Sequence, residues 1–254
     1  ATPSPSGFFN LGHTPPEITI IGDNPVSVQA KTTYNDAGAT ATDSDGNIVT
    51  VVSDTSNVNI NVIGQYEVTY NATDSNVIGA IQRTRTVNVV DTQRPMITLV
   101  GHETVNFVVN TGSYVDAGAT ATDNYYGNLT SQITTAYSPS DIITTALGTY
   151  TVTYSLTDDS GNSAYDVTRT VNVVNQAPSI FIPGGDRMSV NLGDLYTAPD
   201  VTASGQLEGT LAVTTVSGGV NTSVVGTYQV IYAATNSIGT TTKRRTVVVV
   251  DRRK

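Results

Sequence analysis

The chain has 254 residues, and its apolar residues are mainly Val, Ile, Ala and 13 Tyr, a composition that favours strands over helices. The absence of Cys excludes disulfides and thiolate metal sites, and no apolar run approaches the roughly 18 residues of a membrane helix, so we expect no membrane insertion. The formal net charge is −9, and the acidic excess falls on the first two thirds of the chain, where we therefore expect no nucleic-acid binding.

The charge changes sign along the chain. Up to Asp91 nine acidic and three basic residues give a net charge of −6, residues 92–176 carry −5, and the remainder carries +2. The basic residues near the C-terminal end form two clusters, at 243–245 and 252–254. Such clusters are typical of solvated strand ends and tails. Docking of this end onto an acidic neighbour, such as another copy of the chain, stays open.

The chain opens with an arm rich in Pro and Ser, residues 1–14, which carries the apolar side chains of Phe8, Phe9 and Leu11. An arm of this composition has no core of its own. Two placements follow, and both stay open: the arm lies along the first repeat as an extra edge strand, or a neighbouring subunit binds it by strand addition. In the second case the partners are other protein subunits of the same assembly, including copies of this chain.

Three repeats follow the arm, and each begins in the same way. A Pro stands two residues before an Ile, and a Gly follows four residues after that Ile. These residues are Pro16, Ile18 and Gly22; Pro95, Ile97 and Gly101; and Pro178, Ile180 and Gly184. Because Pro is tolerated at strand starts, the pattern predicts a first strand around each Ile. The Gly is predicted to break that strand and let the chain cross to a second sheet.

A second shared segment predicts a close-packed strand, because Ala and Thr alternate in it. Its copies are YNDAGATATD at 34–43, YVDAGATATD at 114–123 and, more loosely, YTAPDVTASG at 196–205. Turns are predicted after it, at Asp45-Gly46 in the first repeat and Tyr126-Gly127 in the second. In the first repeat a further strand is predicted at residues 58–62.

The strongest signal is a strand with one buried face, in which Tyr, Val, Tyr and Ala or Leu fall on alternate positions. Its copies are GQYEVTYNATD at 64–74, GTYTVTYSLTD at 148–158 and GTYQVIYAATN at 226–236. The first Tyr of each copy has the spacing of a tyrosine corner, in which the hydroxyl bonds back to the backbone just upstream of the strand. These residues are Tyr66, Tyr150 and Tyr228.

A final strand closes each repeat, with an arginine on the buried parity. Its copies are RTRTVNVVD at 83–91, VTRTVNVVN at 167–175 and KRRTVVVVD at 243–251. The arginines are Arg85, Arg169 and Arg245. We expect their aliphatic stems to be buried and their guanidinium groups to reach loop carbonyls at the mouth of each sandwich, which requires no ligand.

These segments predict an arm at 1–14 and three domains, at 15–91, 92–175 and 176–254. The linkers at 92–94 and 176–177 are too short for the domains to tumble independently over long distances. The predicted fold is all-β, with three tandem β-sandwiches in an elongated rod.

The three repeats resemble the bacterial immunoglobulin-like domain family. The resemblance rests on Pro-x-Ile, Tyr-x-Asp-x-Gly-Ala-x-Ala-x-Asp, Gly-x-Tyr-x-Val-x-Tyr-x-x-x-Asp and Arg-Thr-Val-x-Val, and it covers nearly the whole chain. The third repeat departs from this pattern, with Ala198, Gly205 and Asn236 at three Asp positions. The family recurs in tandem in bacterial surface proteins, adhesins, secreted glycosidases and some crystal toxins. The resemblance therefore implies immunoglobulin-like sandwiches in a spacer or adhesive role, with no single ligand.

The sequence assigns no metal site, although calcium stays open at the first junction. In immunoglobulin topology the relevant loops lie at the end where the preceding domain attaches, so Asp91, Asp123 and the pair Asp158-Asp159 can converge there. Several carboxylates at such a junction resemble a cadherin-like calcium site. The same residues also suit turns, where Asp side chains bond nearby backbone. The second junction has Asn175, Gly205 and Asn236 instead, and we expect no calcium there.

The sequence names no catalytic or cofactor-binding residue. The two histidines, His13 and His102, have no neighbouring sequence that ties them to a Ser or a metal partner. A glycosidase-like carboxylate pair is a spatial feature, and no insertion longer than a loop is present to form a cleft. We expect no enzyme activity and no cofactor.

The predicted function is that of a structural or adhesive building block in an exposed multi-subunit surface assembly. A cell-surface layer, an appendage, an adhesin and a phage decoration or tail protein all fit, so location on a cell surface or outside the cell, and location on a virion, both stay open. The alternative is a carbohydrate-binding module, for which Tyr125-Tyr126 is the candidate aromatic pair.

The rod can be tested by small-angle X-ray scattering. Strands of about six to eight residues give sandwiches roughly 35–40 Å long, so three in line should approach a maximum dimension of about 110 Å. A scattering curve typical of a single globule would contradict the rod.

Overall fold

The computed structural model describes residues 14–252, so Phe8, Phe9 and Leu11 of the arm lie outside the described residues. Within 14–252 the regular structure is strands plus one short 3-10 helix, as the composition predicts. No helix in this range is long and apolar enough to cross a membrane.

Each repeat contributes seven strands. The first has β1 (Glu17–Ile20), β2 (Val26–Gln29), β3 (Ala39–Thr42), β4 (Ile48–Val49), β5 (Val51–Asp54), β6 (Gly64–Ala72) and β7 (Arg83–Val90). The second has β8 (Met96–Leu99), β9 (Thr104–Val108), β10 (Ala119–Asp123), β11 (Gly127–Asn128), β12 (Thr134–Ser138), β13 (Gly148–Ser155) and β14 (Val167–Val174), with the 3-10 helix at Thr130–Gln132. The third has β15 (Ser179–Phe181), β16 (Arg187–Asn191), β17 (Thr202–Gly205), β18 (Gly209–Leu211), β19 (Thr214–Ser217), β20 (Gly226–Thr235) and β21 (Thr240–Val250).

The strands of each repeat form a three-stranded and a four-stranded sheet. In the first repeat the orders are β1-β3-β4 and β2-β7-β6-β5, and the other two repeats have the same arrangement. Strands β2, β9 and β16 pair in parallel with the last strand of their repeat. The chain thus moves from one sheet to the other between the first two strands, where Gly22, Gly101 and Gly184 have positive φ, as predicted. The fold is three tandem immunoglobulin-like β-sandwiches.

Small apolar cores join the two sheets. In the first repeat Ile18 and Ala41 of the three-stranded sheet are buried together with Val68 and Val87 of the four-stranded one. The third repeat has a similar core. The alternation of buried and partly exposed residues along β6, β13 and β20 confirms the period-two prediction.

The strand predicted at residues 58–62 is wrong. This segment forms turns, in which the Val58 N–H donates to Thr55 O at 3.0 Å and the Asn61 N–H donates to the Asn59 side chain at 3.0 Å. The local bonds of the Asn59 side chain replace a ladder, which is the usual preference of Asn. The predicted strand at 34–43 is also shorter than expected, since only Ala39–Thr42 is extended.

The tyrosine corner is present in all three repeats. The hydroxyl of Tyr66 donates to Val62 O at 2.9 Å, that of Tyr150 to Ile143 O at 3.2 Å, and that of Tyr228 to Val224 O at 3.0 Å. The ring lies over the glycine two residues earlier. A Cβ on Gly148 would be 3.2 Å from the Tyr150 ring, tighter than ordinary contact, whereas at Gly64 and Gly226 the distance would be 3.6 Å, an ordinary contact.

The arginines on the buried parity are more deeply buried and better bonded than the sequence predicts. Arg85 bonds the carbonyl of Ile21 at a loop, as expected, and also forms an ion pair with Asp36. Two tyrosine hydroxyls, Tyr34 at 2.8 Å and Tyr70 at 2.8 Å, donate to the same carboxylate. The sequence analysis missed Asp36 as the partner of the arginine.

The electrostatic balance around Asp36 favours its charged form. Burial alone would raise its pKa, but hydrogen bonds from Tyr34, Tyr70 and the Gly38 N–H, together with the charge of Arg85, hold the pKa below its ordinary value. Burial and the neighbouring carboxylate also raise the pKa of Tyr70, which therefore stays neutral and donates.

The second repeat repeats this network. Arg169 pairs with Asp116, and its Nε donates to His102 O at 3.0 Å. The Tyr154 hydroxyl donates to Asp116, and the Gly118 N–H donates to the same carboxylate at 2.8 Å. In the third repeat Ala198 stands where the carboxylate would be, and the Arg245 guanidinium donates to Pro183 O at 3.0 Å.

Contacts divide the described chain into two compact units. The first holds the first repeat through Ile97 together with two segments of the second repeat, Ala121–Gln132 and Leu156–Tyr165. The second holds Thr98–Thr120, Ile133–Ser155 and the chain from Asp166 onward. The end of the first repeat therefore belongs to one unit with two loops of the second.

The tyrosine corner can be tested by substitution. Tyr150→Phe should lower the free energy of unfolding by about 1 kcal/mol, because one hydroxyl hydrogen bond is lost. The equivalent changes at Tyr66 and Tyr228 should behave alike in urea unfolding of the full chain. Tyr137→Phe, on the exposed strand β12, is the control and should be near neutral. Three corner variants that unfold like the wild type would show that the bond contributes nothing.

The buried ion pair has its own test. Arg85→Met should lower the free energy of unfolding by about 3 kcal/mol or more, because it leaves the Asp36 carboxylate without its cation. Arg83→Met, two residues earlier at the exposed start of the same strand, should change it by less than about 0.5 kcal/mol. Equal effects of the two variants, measured by chemical denaturation, would contradict a specific role for the pair.

Candidate metal centre

Three aspartates from separate segments meet at the end of the first repeat. Asp91 directly follows β7, Asp123 is the last residue of β10, and Asp158 lies in the loop after β13. Each carboxylate offers an oxygen within 4.8 Å of the other two, and the residues are only 6, 8 and 5% exposed. The structure thus brings together the three residues left open by the sequence. Asp159, named beside them, is exposed and lies outside the group.

Loop backbone holds Asp123 in place. Its Oδ1 accepts hydrogen bonds from the N–H groups of Tyr125 at 2.7 Å and Tyr126 at 3.0 Å. This is the Asx-type turn that the alternative interpretation predicts for these residues. It uses one of the two carboxylate oxygens.

The other two carboxylates are held in a similar way. Oδ1 of Asp158 accepts from the N–H groups of Ser160 and Asn162, both at 2.9 Å. Oδ1 of Asp91 accepts from Gln29 Nε2 at 2.8 Å and from the Gln93 N–H at 3.1 Å. These bonds fix all three carboxylates in orientation.

Asn162 connects two members of the group, and the sequence analysis did not single it out. Its Nδ2 donates to Asp158 Oδ2 at 3.0 Å and to the backbone carbonyl of Asp91 at 3.2 Å. The spacing Asp158-x-Ser160-x-Asn162 is the available sequence signal, since alternate positions in a short loop can bond one carboxylate.

The second oxygens of two carboxylates have no donor. Oδ2 of Asp91 and Oδ2 of Asp123 are both buried and accept no hydrogen bond. Among residues 14–252 the ion pairs are Arg85–Asp36, Arg169–Asp116 and Lys243–Asp186, so none involves this group. Burying a carboxylate oxygen without a donor or cation is costly. Turn formation therefore explains the Oδ1 atoms and leaves these two oxygens without an explanation.

Lys31, which contacts the loop that follows Asp123, bonds the backbone of that loop. Lys31 Nζ donates to the carbonyls of Tyr125 at 2.6 Å and Asn124 at 3.1 Å, and it lies 5.2 Å from the centre of the Tyr125 ring. It ties the first repeat to this loop through the loop backbone. Its charge is directed at carbonyl oxygens and a ring face.

Tyr125 and Tyr126 pack within this end. Their rings meet edge to face at 4.9 Å, and both residues are only partly exposed. The Tyr125 hydroxyl accepts from the Ile63 N–H at 3.2 Å, and the Tyr126 hydroxyl shares a hydrogen bond with Ser160 Oγ at 2.9 Å. With their hydroxyls bonded and their planes perpendicular, the rings do not form a flat platform for a sugar. This favours the packing role over carbohydrate binding.

At the equivalent position after the second repeat the residues and their hydrogen bonds are different. Asn175 Nδ2 donates to Glu208 Oε1 and to Ser237 Oγ, both at 2.9 Å. A Cβ on Gly205 would lie 2.4 Å from Glu208 Oε2, so the glycine makes room for that carboxylate. The second junction thus has one carboxylate, which is surrounded by donors, whereas the first junction has three carboxylates. The sequence analysis missed Glu208.

Comparison with known proteins places these repeats in a bacterial context. The sequence model of the family described as "Bacterial surface protein, Ig-like domain" matches residues 18–89, 97–173 and 180–249. Internalin I of Listeria monocytogenes serovar 1/2a is 29% identical over 218 residues, which is 82% of this chain and 12% of internalin I. An 81.3 kDa protein of Acholeplasma phage L2 is 27% identical over 213 residues, 76% of this chain and 27% of the phage protein. The chain therefore spans only a small part of these relatives.

Solved structures with immunoglobulin or cadherin domains are similar at low identity. Immunoglobulin domains 1–5 of Sidekick-1 match 96% of this chain and 60% of that chain, with 14% identity and a TM-score of 0.32. Drosophila N-cadherin EC1-3 matches 94% of this chain and 90% of that chain, with 12% identity and a TM-score of 0.27. At these TM-scores the likenesses carry no conclusion about what the chain binds.

Proposed function

The chain belongs to the bacterial surface protein Ig-like domain family, and from this premise we propose that it is a non-enzymatic structural or adhesive building block of an exposed multi-subunit assembly. The observation that carries the proposal is the tandem array itself: family domains match 18–89, 97–173 and 180–249, leaving little of the chain for anything else. In this proposal the protein acts at the cell surface or in the extracellular space. A virion surface is the alternative, since relatives occur in both Listeria monocytogenes and a phage.

The absence of enzyme activity is part of this proposal. His102 is exposed, and its backbone carbonyl serves Arg169 in the core network. Among residues 14–252, Asp36 and Asp116 bond arginine and tyrosine hydroxyls, and Asp123 holds turn backbone through its Oδ1. These structural bonds support a scaffold rather than a catalyst.

Exposed sheet edges give such a block a means of assembly. Strands β5, β12 and β19 each lie at the outer edge of a four-stranded sheet, and β12 and β19 are exposed along their whole length. An exposed edge strand presents unpaired N–H and C=O groups to another chain. The arm at 1–14 is apolar at Phe8, Phe9 and Leu11 and has the length of an added strand. We infer that the arm of one copy pairs with an edge of another.

The charge distribution supports contacts between opposite ends of copies. The part up to Asp91 carries −6 and the part from Ala177 carries +2. Attraction between exposed charges is screened by salt over about 8–10 Å at physiological ionic strength. Assembly by this contact should therefore weaken as salt is added.

Deletion of the arm tests the proposal. Removing residues 1–14 should leave three folded domains but lower the fraction of protein in oligomers, measured by analytical ultracentrifugation at high concentration. Phe8→Ser with Phe9→Ser should have the same effect at full length, whereas Ser4→Ala with Ser6→Ala, the matched control, should assemble like the wild type. Added salt should lower the sedimentation coefficient of the wild-type oligomer.

Two results would overturn it. The intact chain remaining monomeric at high concentration would remove the basis for assembly, and a deletion variant that assembles as well as the wild type would exclude the arm. Binding of the monomer to sugars on a glycan array would instead support the carbohydrate-binding alternative.

A further inference from the structure

We propose that Asp91, Asp123 and Asp158 bind one calcium ion, which fastens the end of the first repeat to two loops of the second. Asp91 lies in the connection after β7, whereas Asp123 ends β10 and Asp158 lies in the loop after β13. All three belong to the first compact unit. The ion joins three segments that are far apart in sequence.

The geometry fits a single ion. Calcium binds oxygen at about 2.3–2.6 Å, so two oxygens on opposite sides of one ion lie up to about 5 Å apart. The three aspartates offer oxygens that lie within 4.8 Å of one another. One ion can therefore contact an oxygen of each of the three residues.

The unused oxygens supply the second, independent indication. Oδ2 of Asp91 and Oδ2 of Asp123 are buried and accept no hydrogen bond, while the Oδ1 atoms of the same residues are held by N–H donors. Each carboxylate is thus oriented by one oxygen and has the other available. A cation is the partner that such an oxygen lacks, since neither a basic side chain nor an N–H group reaches it.

The donor set selects calcium among common metals. All three ligands are carboxylate oxygens, which suit hard cations, whereas zinc and copper favour the nitrogen and sulfur ligands of His and Cys. Calcium takes six to eight oxygens in flexible geometry, and magnesium demands a tighter octahedron. An open crevice lined in part by Asp91, Tyr126 and Ser160 admits the waters that complete the shell. Three carboxylates also leave a bound divalent ion with excess negative charge, which favours tight retention.

The second junction serves as an internal contrast. Asn175, Gly205 and Asn236 replace the three aspartates, and Glu208 there is bonded by Asn175 and Ser237. That cluster has its donors within the chain and needs no ion. Calcium should therefore act at the first junction alone.

The test uses the full chain after dialysis against a chelator. Isothermal titration should show one bound calcium per chain, with an affinity that makes the site filled at the roughly millimolar calcium of extracellular fluids. Calcium should raise the melting temperature relative to EDTA, and magnesium at equal concentration should do so much less. Terbium is a second probe, because Tyr125 and Tyr126 lie beside Asp123 and can transfer excitation to it. Its emission should rise on binding and fall when calcium displaces it.

Matched variants decide where the ion sits. Asp123→Asn keeps the Oδ1 acceptor for the loop and should weaken calcium at least about tenfold, as loss of a ligand charge does. Asp159→Asn, at the exposed neighbouring position, removes the same charge from the same region and should bind like the wild type.

Several outcomes would overturn the site. No heat, no shift in melting temperature and no terbium signal in the wild type would exclude it whether or not the variants fold. Equal weakening by Asp159→Asn and Asp123→Asn would reduce the effect to diffuse charge, and a preference for magnesium would contradict calcium. None of these results depends on the arm or on assembly.

Discussion

The first two domains share one buried interaction, the pair between an arginine of the last strand and an aspartate just before the Ala-Thr strand. Arg85 lies on the buried face of β7, where the parity of the strand directs its side chain into the sandwich. A guanidinium in that place is tolerable only if its hydrogen bonds are made. Asp36 and the carbonyls of Ile21 and Gly38 accept hydrogen bonds from its two terminal nitrogens, whereas its Nε has no partner.

This constraint explains why the two motifs occur together. In Tyr-x-Asp-x-Gly, the Asp meets the arginine, the Tyr donates to the Asp, and the Gly N–H closes the turn by donating to the same carboxylate, as Tyr34, Asp36 and Gly38 show. The second Tyr of the tyrosine-bearing strand, Tyr70, adds another donor. Five separate motif positions thus form one network. The third repeat keeps Arg245 but has Ala198 for the Asp, so its arginine relies on the Pro183 carbonyl. The core of the third repeat consists instead of apolar packing around Ile180 and Val230.

Much of the fold could be predicted because its signals are local. Period-two alternation in β6, β13 and β20 and the glycines that break the first strands depend on neighbours along the chain. One failure came from a contact between distant residues. Asp36 lies 49 positions before Arg85, and nothing in the spacing of either shows that they meet. The other failure is local: residues 58–62 are predicted as a strand, but bonding by the Asn59 side chain stabilises turns instead.

The aspartate cluster could also be predicted only in part. Its members could be named from the topology of the family that the sequence resembles, yet whether they meet as ligands or merely form turns depends on individual oxygens. Asp91 Oδ2 and Asp123 Oδ2, buried without a donor, are what separates the two interpretations. The domain boundaries at 15–91, 92–175 and 176–254 and the placement of the arm stay predictions.

Carboxylates therefore serve two different purposes in this chain. Asp36 and Asp116 are completed by groups of their own repeats, so the cores they stabilise are self-sufficient. Asp91, Asp123 and Asp158 are oriented by the chain but not neutralised by it, and in our proposal a calcium ion supplies the missing charge. In that proposal the contact between the end of the first repeat and the two loops of the second is strengthened where calcium is abundant. Since extracellular fluids contain far more free calcium than cytoplasm, the junction would stiffen at the place where the proposed assembly works.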